Sequence, residues 1–413
     1  MPIYRAAWIV PIVGPPVRHG WVATHAGRLI AVGRDGEAAP GPVASDAVID
    51  LGEVAVLPAL VNAHTHLELS WLRNRVPPAR GFISWVSSMM RERMQASDQR
   101  DEHVVRKAMG AALAEMKATG TAVVGDISNT LANLDLLGPS GLAGVVFHEL
   151  IKFRATDPEE VVTDAERRIE MATVGADWRL ALAPHAPYSV SPGVFAALRD
   201  RRRTADDTHT SVHVSESADE VEFIDRGSGG WQDLLKRLGA WDSEWRTPNC
   251  SPIEYLDRLG FWDDRTLAVH AVKASPEDLK LLASRGATIV TCPRSNVHVG
   301  AGDPPVAAFY ESGVNVAIGT DSLSSVKDLN LFSELAAMHR LAPGVEPSRL
   351  LRSATINGAT ALGFDRDFGS IAPGKRAALL AVSIPSGTTD VEQYLVSGIF
   401  PDRIQWVESC QPS

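Results

Sequence analysis

Two features of the amino-acid sequence predict an α/β chain built on a (β/α)8 TIM barrel. Eight short, nearly continuous apolar runs alternate with amphipathic segments between about residues 58 and 365. Short strands rich in turns occupy both ends. Length agrees, because 413 residues exceed one ordinary domain of roughly 100–200 residues and suit one large barrel with an appendage.

The elements follow in order. Trp21–His25, the turn Ala26-Gly27-Arg28 and Leu29–Val32 read as a hairpin, and Val54–Leu57 as a further strand. The eight runs are Leu60–His66, Thr121–Asp126, Gly144–Leu150, Leu180–His185, Ser211–Glu216, Leu267–Val272, Ala287–Cys292 and Val314–Thr320. Their unbroken apolar character is that of strands buried on both faces. Val104–Lys117 and Pro276–Ser284 are amphipathic connecting helices. A doubly wound open sheet competes, but no GxGxxG fingerprint supports it. After about residue 366 come the turn-rich Gly369–Lys375 and a strand, Ala377–Val382. The expected domains are residues 1–57 plus 366–413 as one small β domain, and residues 58–365 as the barrel.

Composition narrows the function. Hydrophobic residues at 45% and charged residues at 22% exclude wholesale disorder and a fibrous repeat. A net charge of −10 argues against nucleic acid as the partner and leaves a small molecule. No apolar run approaches the ~18 residues of a membrane span. The apolar stretch Ala6–Val13 is cut by Pro11 and followed by Pro15 and Pro16, with no clean cleavage site after it, so the expected setting is the cytoplasm. Cys250, Cys292 and Cys410 are odd in number and far apart, which fits a reducing compartment. Without a CxxC pair there is neither a cysteine-only zinc site nor the PCxxC signature of cytidine-type zinc deaminases.

The chemistry lies in the histidines. His64-Thr65-His66 ends the first run, and residues two apart on a strand point the same way, so both imidazoles can face the barrel axis. Alone, such a pair reads as easily as two incidental histidines. His213 ends the fifth run, His270 the sixth, and Asp321 follows the eighth in Gly319-Thr320-Asp321-Ser322. Carboxyl ends of barrel strands converge on one mouth, so these residues together predict a metal site. Imidazole plus carboxylate suits zinc (Zn2+, one ion per chain), with Fe2+ as the substitute. Glu216, three residues after His213, is placed to take a proton from water at that metal. Its alternative role is an acid stabilised at a helix N-terminus.

The chain resembles the amidohydrolase superfamily in its deaminase and chlorohydrolase branch. The matching segments are Leu57-Pro58-Ala59-Leu60-Val61-Asn62-Ala63-His64-Thr65-His66, His213-Val214-Ser215-Glu216, His270, Cys292-Pro293-Arg294-Ser295-Asn296 and Gly319-Thr320-Asp321-Ser322. Ala354–Gly363 and Gly369–Lys375 match as well, so the resemblance covers nearly the whole chain. It implies a metal-bearing barrel with a small β-sandwich domain formed by both termini. It also implies that His64, His66, His213 and Asp321 hold the metal, and that Glu216, His270 and Asp321 are catalytic and handle protons. Water activated there would attack a ring carbon bearing an amino group, with Glu216 carrying the water's proton to the adjacent ring nitrogen. The fourth run ends Pro184-His185 with no lysine to bridge two metals; Lys152 is the nearby candidate. The tail departs from the family at Ala378, where an acid is usual.

By the same resemblance His185 contacts substrate, its alternative being a loop anchor. Asn296 is a second substrate candidate that could equally brace its loop. Glu68 would bind ribose hydroxyls or pair with Arg73 as scaffold. Segment 71–98, with Trp71, Phe82, Trp85, Met89, Met90 and Met94, reads as core or a lid over the mouth. Arg91 and Arg93 on it read as solvated or as partners of an anionic substrate group. Segment 238–250, with Trp241 and Trp245, is a second mouth insertion.

The expected function is therefore a zinc-dependent hydrolytic deaminase of an adenine-type nucleoside that releases ammonia. The stretch Asn62–Ser70 with Cys292–Asn296 resembles the aminodeoxyfutalosine deaminases of the menaquinone route. The alternatives are a thioadenosine or S-adenosylhomocysteine deaminase, a triazine-type chlorohydrolase, or a binuclear cyclic-amide hydrolase. A homodimer is an allowed assembly.

Overall fold

A computed structural model of the protein describes residues 1–37, 48–97, 102–204 and 209–407. Cys410 and the last residue of segment 71–98, Asp98, lie outside the described residues. The chain opens with β1 (Ile3–Ile9), β2 (Val17–His25), β3 (Arg28–Arg34), β4 (Val48–Asp50) and β5 (Val54–Pro58). The hairpin read at Trp21–Val32 forms as β2 and β3, with Ala23 opposite Ala31. Its two turn residues, Ala26 and Gly27, take φ of 48° and 72°, the left-handed pair that a tight two-residue hairpin turn demands. The apolar stretch Ala6–Val13 contributes to β1, which lies between β2 and β5, with Ile9 and Val10 fully buried.

The eight expected barrel strands all form. They are β6 (Leu60–Thr65), β7 (Thr121–Ser128), β8 (Ala143–Leu150), β9 (Trp178–Pro184), β10 (Thr210–Val214), β11 (Thr266–His270), β12 (Thr288–Thr291) and β13 (Asn315–Ile318). They are arranged as two parallel four-stranded sheets, β6-β7-β8-β9 and β10-β11-β12-β13. Every residue of β6, β7, β8, β10, β11 and β12 is buried, which accounts for their unbroken apolar runs. Helices connect them. The helix Glu102–Ala118 buries Met109, Ala112, Leu113 and Met116 on one stripe against Val124 of β7 and Val146 of β8. The helix Pro276–Arg285 opens with a reciprocal Ser275–Asp278 capping box.

Hydrogen bonds join the two sheets at both of their edges. On one side His213 N donates to His185 O (2.9 Å), and Thr210 Oγ1 donates to Leu182 O (2.8 Å). On the other, Thr320 N and Asp321 N both donate to His64 O (3.1 Å). Gly319 permits this approach, because a Cβ there would lie 2.7 Å from His64 O. The result is a TIM-barrel-like α/β arrangement.

After the barrel come β14 (Leu379–Ser383) and β15 (Ile404–Trp406). They join the amino-terminal strands in one seven-stranded sheet of order β15-β14-β5-β1-β2-β3, with β4 also on β1. The turn segment Gly369–Lys375 attaches to the hairpin through Leu29 N to Lys375 O and Gly374 N to Leu29 O, both 2.8 Å. Among the described residues no helix is long and apolar enough to cross a membrane.

Six of the eight strands stop one or two residues before their apolar runs do, whereas β7 continues to Ser128 and β8 ends with its run at Leu150. His66, His185 and Glu216 lie just past strand ends, and Asp321, three residues past β13, bridges to Thr65. Ser215, His270, Ala271 and Asp321 take φ of 50°, 75°, 50° and 56°, and this left-handed backbone breaks the ladder where the site begins.

Candidate active site

β6 delivers His64 with its side chain fully buried, and His66 follows at the strand end. Their Nε2 atoms are 3.2 Å apart, and His66 Nε2 is 3.3 Å from His213 Nε2, contributed by β10. His213 Nδ1 lies 2.9 Å from His185 O, so its proton is engaged there and its Nε2 lone pair faces the other histidines. Asp321 completes the cluster, with Oδ1 3.5 Å from His66 Nε2 and 3.9 Å from His64 Nε2. Its Oδ2 accepts hydrogen bonds from Ser295 Oγ and, at 3.2 Å, Ser325 Oγ, which leaves Oδ1 free to face the imidazoles.

Burial, reinforced by the neighbouring histidines, holds His64 well below the ordinary histidine pKa. Burial takes His66 down to about 3 and His213 down to about 4. Three neutral imidazoles presenting nitrogen lone pairs to one point, beside a carboxylate oxygen, form a donor set for a divalent cation.

Glu216 and His270 stand next to this cluster. Glu216 Oε1 is 3.6 Å from His270 Nε2, and both residues are buried. Burial first, then the charges of Asp321 and Glu220, raise Glu216 well above the usual carboxylate pKa, so it can hold a proton. Asn296 Nδ2 lies 2.9 Å from His270 Nδ1. The structure thus places Asn296 on a catalytic candidate, a contact the sequence reading did not anticipate.

A cavity of 610 Å³ opens beside His66. His185 lines it, with Nδ1 2.6 Å from Ser189 Oγ, and burial lowers its pKa to about 4. One wall is the helix Phe82–Ser97, through Val86, Met89, Met90 and Arg93. Another is the helix Gly230–Arg237 with the following Leu238–Ala240. Both segments read as mouth elements do border the cavity. Trp241 and Trp245 instead stack behind the wall on Phe153 and Phe223. Arg93 and Lys152 line the cavity, whereas Arg91 is exposed and bonds Ser88 Oγ at 3.1 Å.

Glu68 is fully engaged. Its carboxylate accepts from Ser128 Oγ, Asn129 N, Thr130 N and Thr130 Oγ1. The pairing with Arg73, the alternative to ribose binding, is not formed: Arg73 bonds Glu115 at 2.7 Å, because the 3-10 turn Leu67–Leu72 carries Arg73 toward the helix Glu102–Ala118.

Sequence reasoning missed two acids. Glu149, near the carboxyl end of β8, lines the cavity with Oε1 3.7 Å from His213 Nδ1, and Oε2 accepts from Asn129 Nδ2 (2.8 Å). Its place at a barrel-strand end was the available signal. Glu220, four residues past Glu216, carried a signal in the spacing Ser217-x-x-Glu220.

Comparison with known proteins follows this geometry. Residues 55–400 match the amidohydrolase family. The chain is 30% identical over 386 residues to the 5-methylthioadenosine/S-adenosylhomocysteine deaminase of Moorella thermoacetica, covering 91% of this chain and 84% of that one. It is 31% identical over 322 residues to the aminodeoxyfutalosine deaminase of Deinococcus radiodurans, covering 75% and 73%. The crystal structure of an adenosine deaminase from Xanthomonas campestris with bound zinc is similar at a TM-score of 0.78 and 26% identity, covering 97% of this chain and 90% of that one.

Proposed function

The chain belongs to the amidohydrolase family, and on that premise we propose that it is a metal-dependent hydrolase that removes the ring amino group of an adenine-type nucleoside as ammonia. One observation carries the reading: neutral His64, His66 and His213 and the oxygen of Asp321 meet at one point, with Glu216 and His270 beside them and a cavity opening at His66. The deaminase names of the relatives from Moorella thermoacetica and Deinococcus radiodurans support the reaction class.

His64, His66, His213 and Asp321 hold one zinc ion per chain; the nitrogen and carboxylate donors and the zinc-bound Xanthomonas campestris structure support that choice. Zinc when bound supplies a Lewis acid that lowers the pKa of water toward neutrality. Glu216 takes the proton of the attacking water and hands it to the ring nitrogen beside the attacked carbon. His270 Nε2 orients that water's oxygen, and the Asp321 carboxylate accepts the second proton and returns it to the amino nitrogen, so that ammonia departs as the C–N bond breaks. His185 Nε2 faces the substrate ring. The cavity, at 610 Å³, lies within the roughly 300–1,000 Å³ of small-molecule sites.

The two parallel sheets close into a (β/α)8 barrel, and the seven-stranded sheet built from both ends of the chain forms the small β domain beside it. Aminodeoxyfutalosine is the first substrate to try, and methylthioadenosine and S-adenosylhomocysteine the next. Ammonia release across a panel of these, adenosine, amino-pyrimidines and a chlorotriazine tests the reading. Turnover of an adenine-type member is expected. Chloride release from the triazine with no ammonia from any nucleoside would replace it.

A further inference from the structure

Glu220 is fully buried, one helical turn beyond Glu216. Each of its carboxylate oxygens accepts one backbone N–H at 2.9 Å: Oε1 from Ser215 and Oε2 from Glu216. Ser217 caps the helix Ala218–Arg226, its Oγ accepting from Glu220 N at 3.2 Å. In an ordinary capping box the glutamate returns to the N–H of the cap residue itself. Here the Ser217 N–H also faces the carboxylate, but the two bonds at 2.9 Å run one and two residues further back, to the turn by which the chain leaves β10.

That turn decides where the Glu216 side chain points. Ser215 sits at φ 50°, a left-handed conformation that a serine holds only when its surroundings impose it. The two N–H groups flanking that conformation are the ones Glu220 binds. Just beyond the clamp, Glu216 Oε1 stands 3.6 Å from His270 Nε2. Ser217 Oγ already caps the helix, so capping alone does not require Glu220 to reach the turn.

We propose that Glu220 is the positioning residue for Glu216: its carboxylate clamps the backbone at 215–216 so that the Glu216 carboxyl stands at the reacting atoms, without itself touching substrate. The proposal rests on the proton-carrying role given to Glu216 above. A glutamine at 220 keeps the size but replaces one acceptor with an NH2 that faces an N–H, so one side of the clamp opens.

The test compares E220Q, E216Q and the double variant E216Q/E220Q in the metal-loaded enzyme, with S217A as a control for the helix. E220Q is expected to lower kcat roughly 100-fold, the usual cost of a misplaced catalytic group, while KM stays within about twofold and metal content is unchanged. In the E216Q background the second substitution should cost nothing further, because Glu220 acts only through Glu216. S217A should lower Tm and leave kcat intact. If E220Q does not fold, E220D serves, since it keeps the charge but is too short to reach both N–H groups. Unchanged kcat in E220Q, or the same added loss in the E216Q background, overturns the proposal. Full turnover by E216Q alone would instead remove the role of Glu216, a failure distinguishable from this one.

Discussion

Asn296 Nδ2 lies 2.9 Å from His270 Nδ1, in a buried pair behind the histidine cluster. The amide occupies Nδ1 and so fixes the tautomer and the ring orientation, leaving Nε2 at 3.6 Å from Glu216 Oε1. Removing the amide releases both the tautomer and the ring orientation. N296A is therefore expected to lower kcat roughly 10–100-fold with KM nearly constant, as for other residues that hold a catalytic or ligating histidine. A rise in KM with kcat preserved would place Asn296 on the substrate instead.

The cluster of His64, His66, His213 and Asp321 predicts a metal measurable without any substrate. Purified protein should carry about one equivalent by elemental analysis, and H66A and D321N well under that. A chelator should abolish activity, and zinc should restore it. Because metal binds the folded chain and stabilises it by roughly 3–4 kcal/mol at 100–1,000 times Kd, chelation should also lower Tm. A Tm indifferent to both chelator and zinc would remove the metal from the site.

Glu68 tests scaffold against substrate contact. Both its oxygens are occupied by donors of residues 128–130. E68Q should destabilise the protein by about 1 kcal/mol, the loss of hydrogen bonds to donors that are mostly within reach of water. Any rise in KM should be equal for ribose and 2′-deoxyribose substrates, because the loop rather than the sugar loses its partner. A rise confined to the ribose substrate would give Glu68 the hydroxyl contact.

How much of this was legible follows from what each residue's neighbours are. The barrel strands showed in the sequence because strands buried on both faces carry unbroken apolar runs. Their ends did not, because Ser215, His270 and Asp321 leave the strand by a left-handed backbone that non-glycine residues do not announce. His64 and His66 were readable together, since strand alternation alone puts them on one side. Arg73 was not: its partner Glu115 lies 42 residues away, brought near only by helix packing. The acids at 149 and 220 were visible as letters, but their roles depend on Asn129 and on the 215–216 turn, contacts that local pattern does not encode.

Asp126 predicts a pH dependence of stability. It is fully buried on β7, with Oδ1 accepting from Leu67 N (2.8 Å) and Oδ2 from Asn133 Nδ2 (2.6 Å). Burial lifts its pKa from 3.8 to about 8, against the pull of the Leu67 N–H. Asn133 Oδ1 is buried without a hydrogen-bond partner, and a half-turn of that amide lets it accept the proton of a neutral Asp126. The folded state therefore binds this proton more tightly than the unfolded chain does. Its stabilising effect is complete below about pH 4 and is lost as pH rises toward 8, at no more than about 1.4 kcal/mol per unit. Urea midpoints of the wild type and D126N, compared at pH 5 and pH 8, isolate the Asp126 share. D126N should gain stability relative to the wild type as pH rises; a difference independent of pH would mean that Asp126 is ionised throughout.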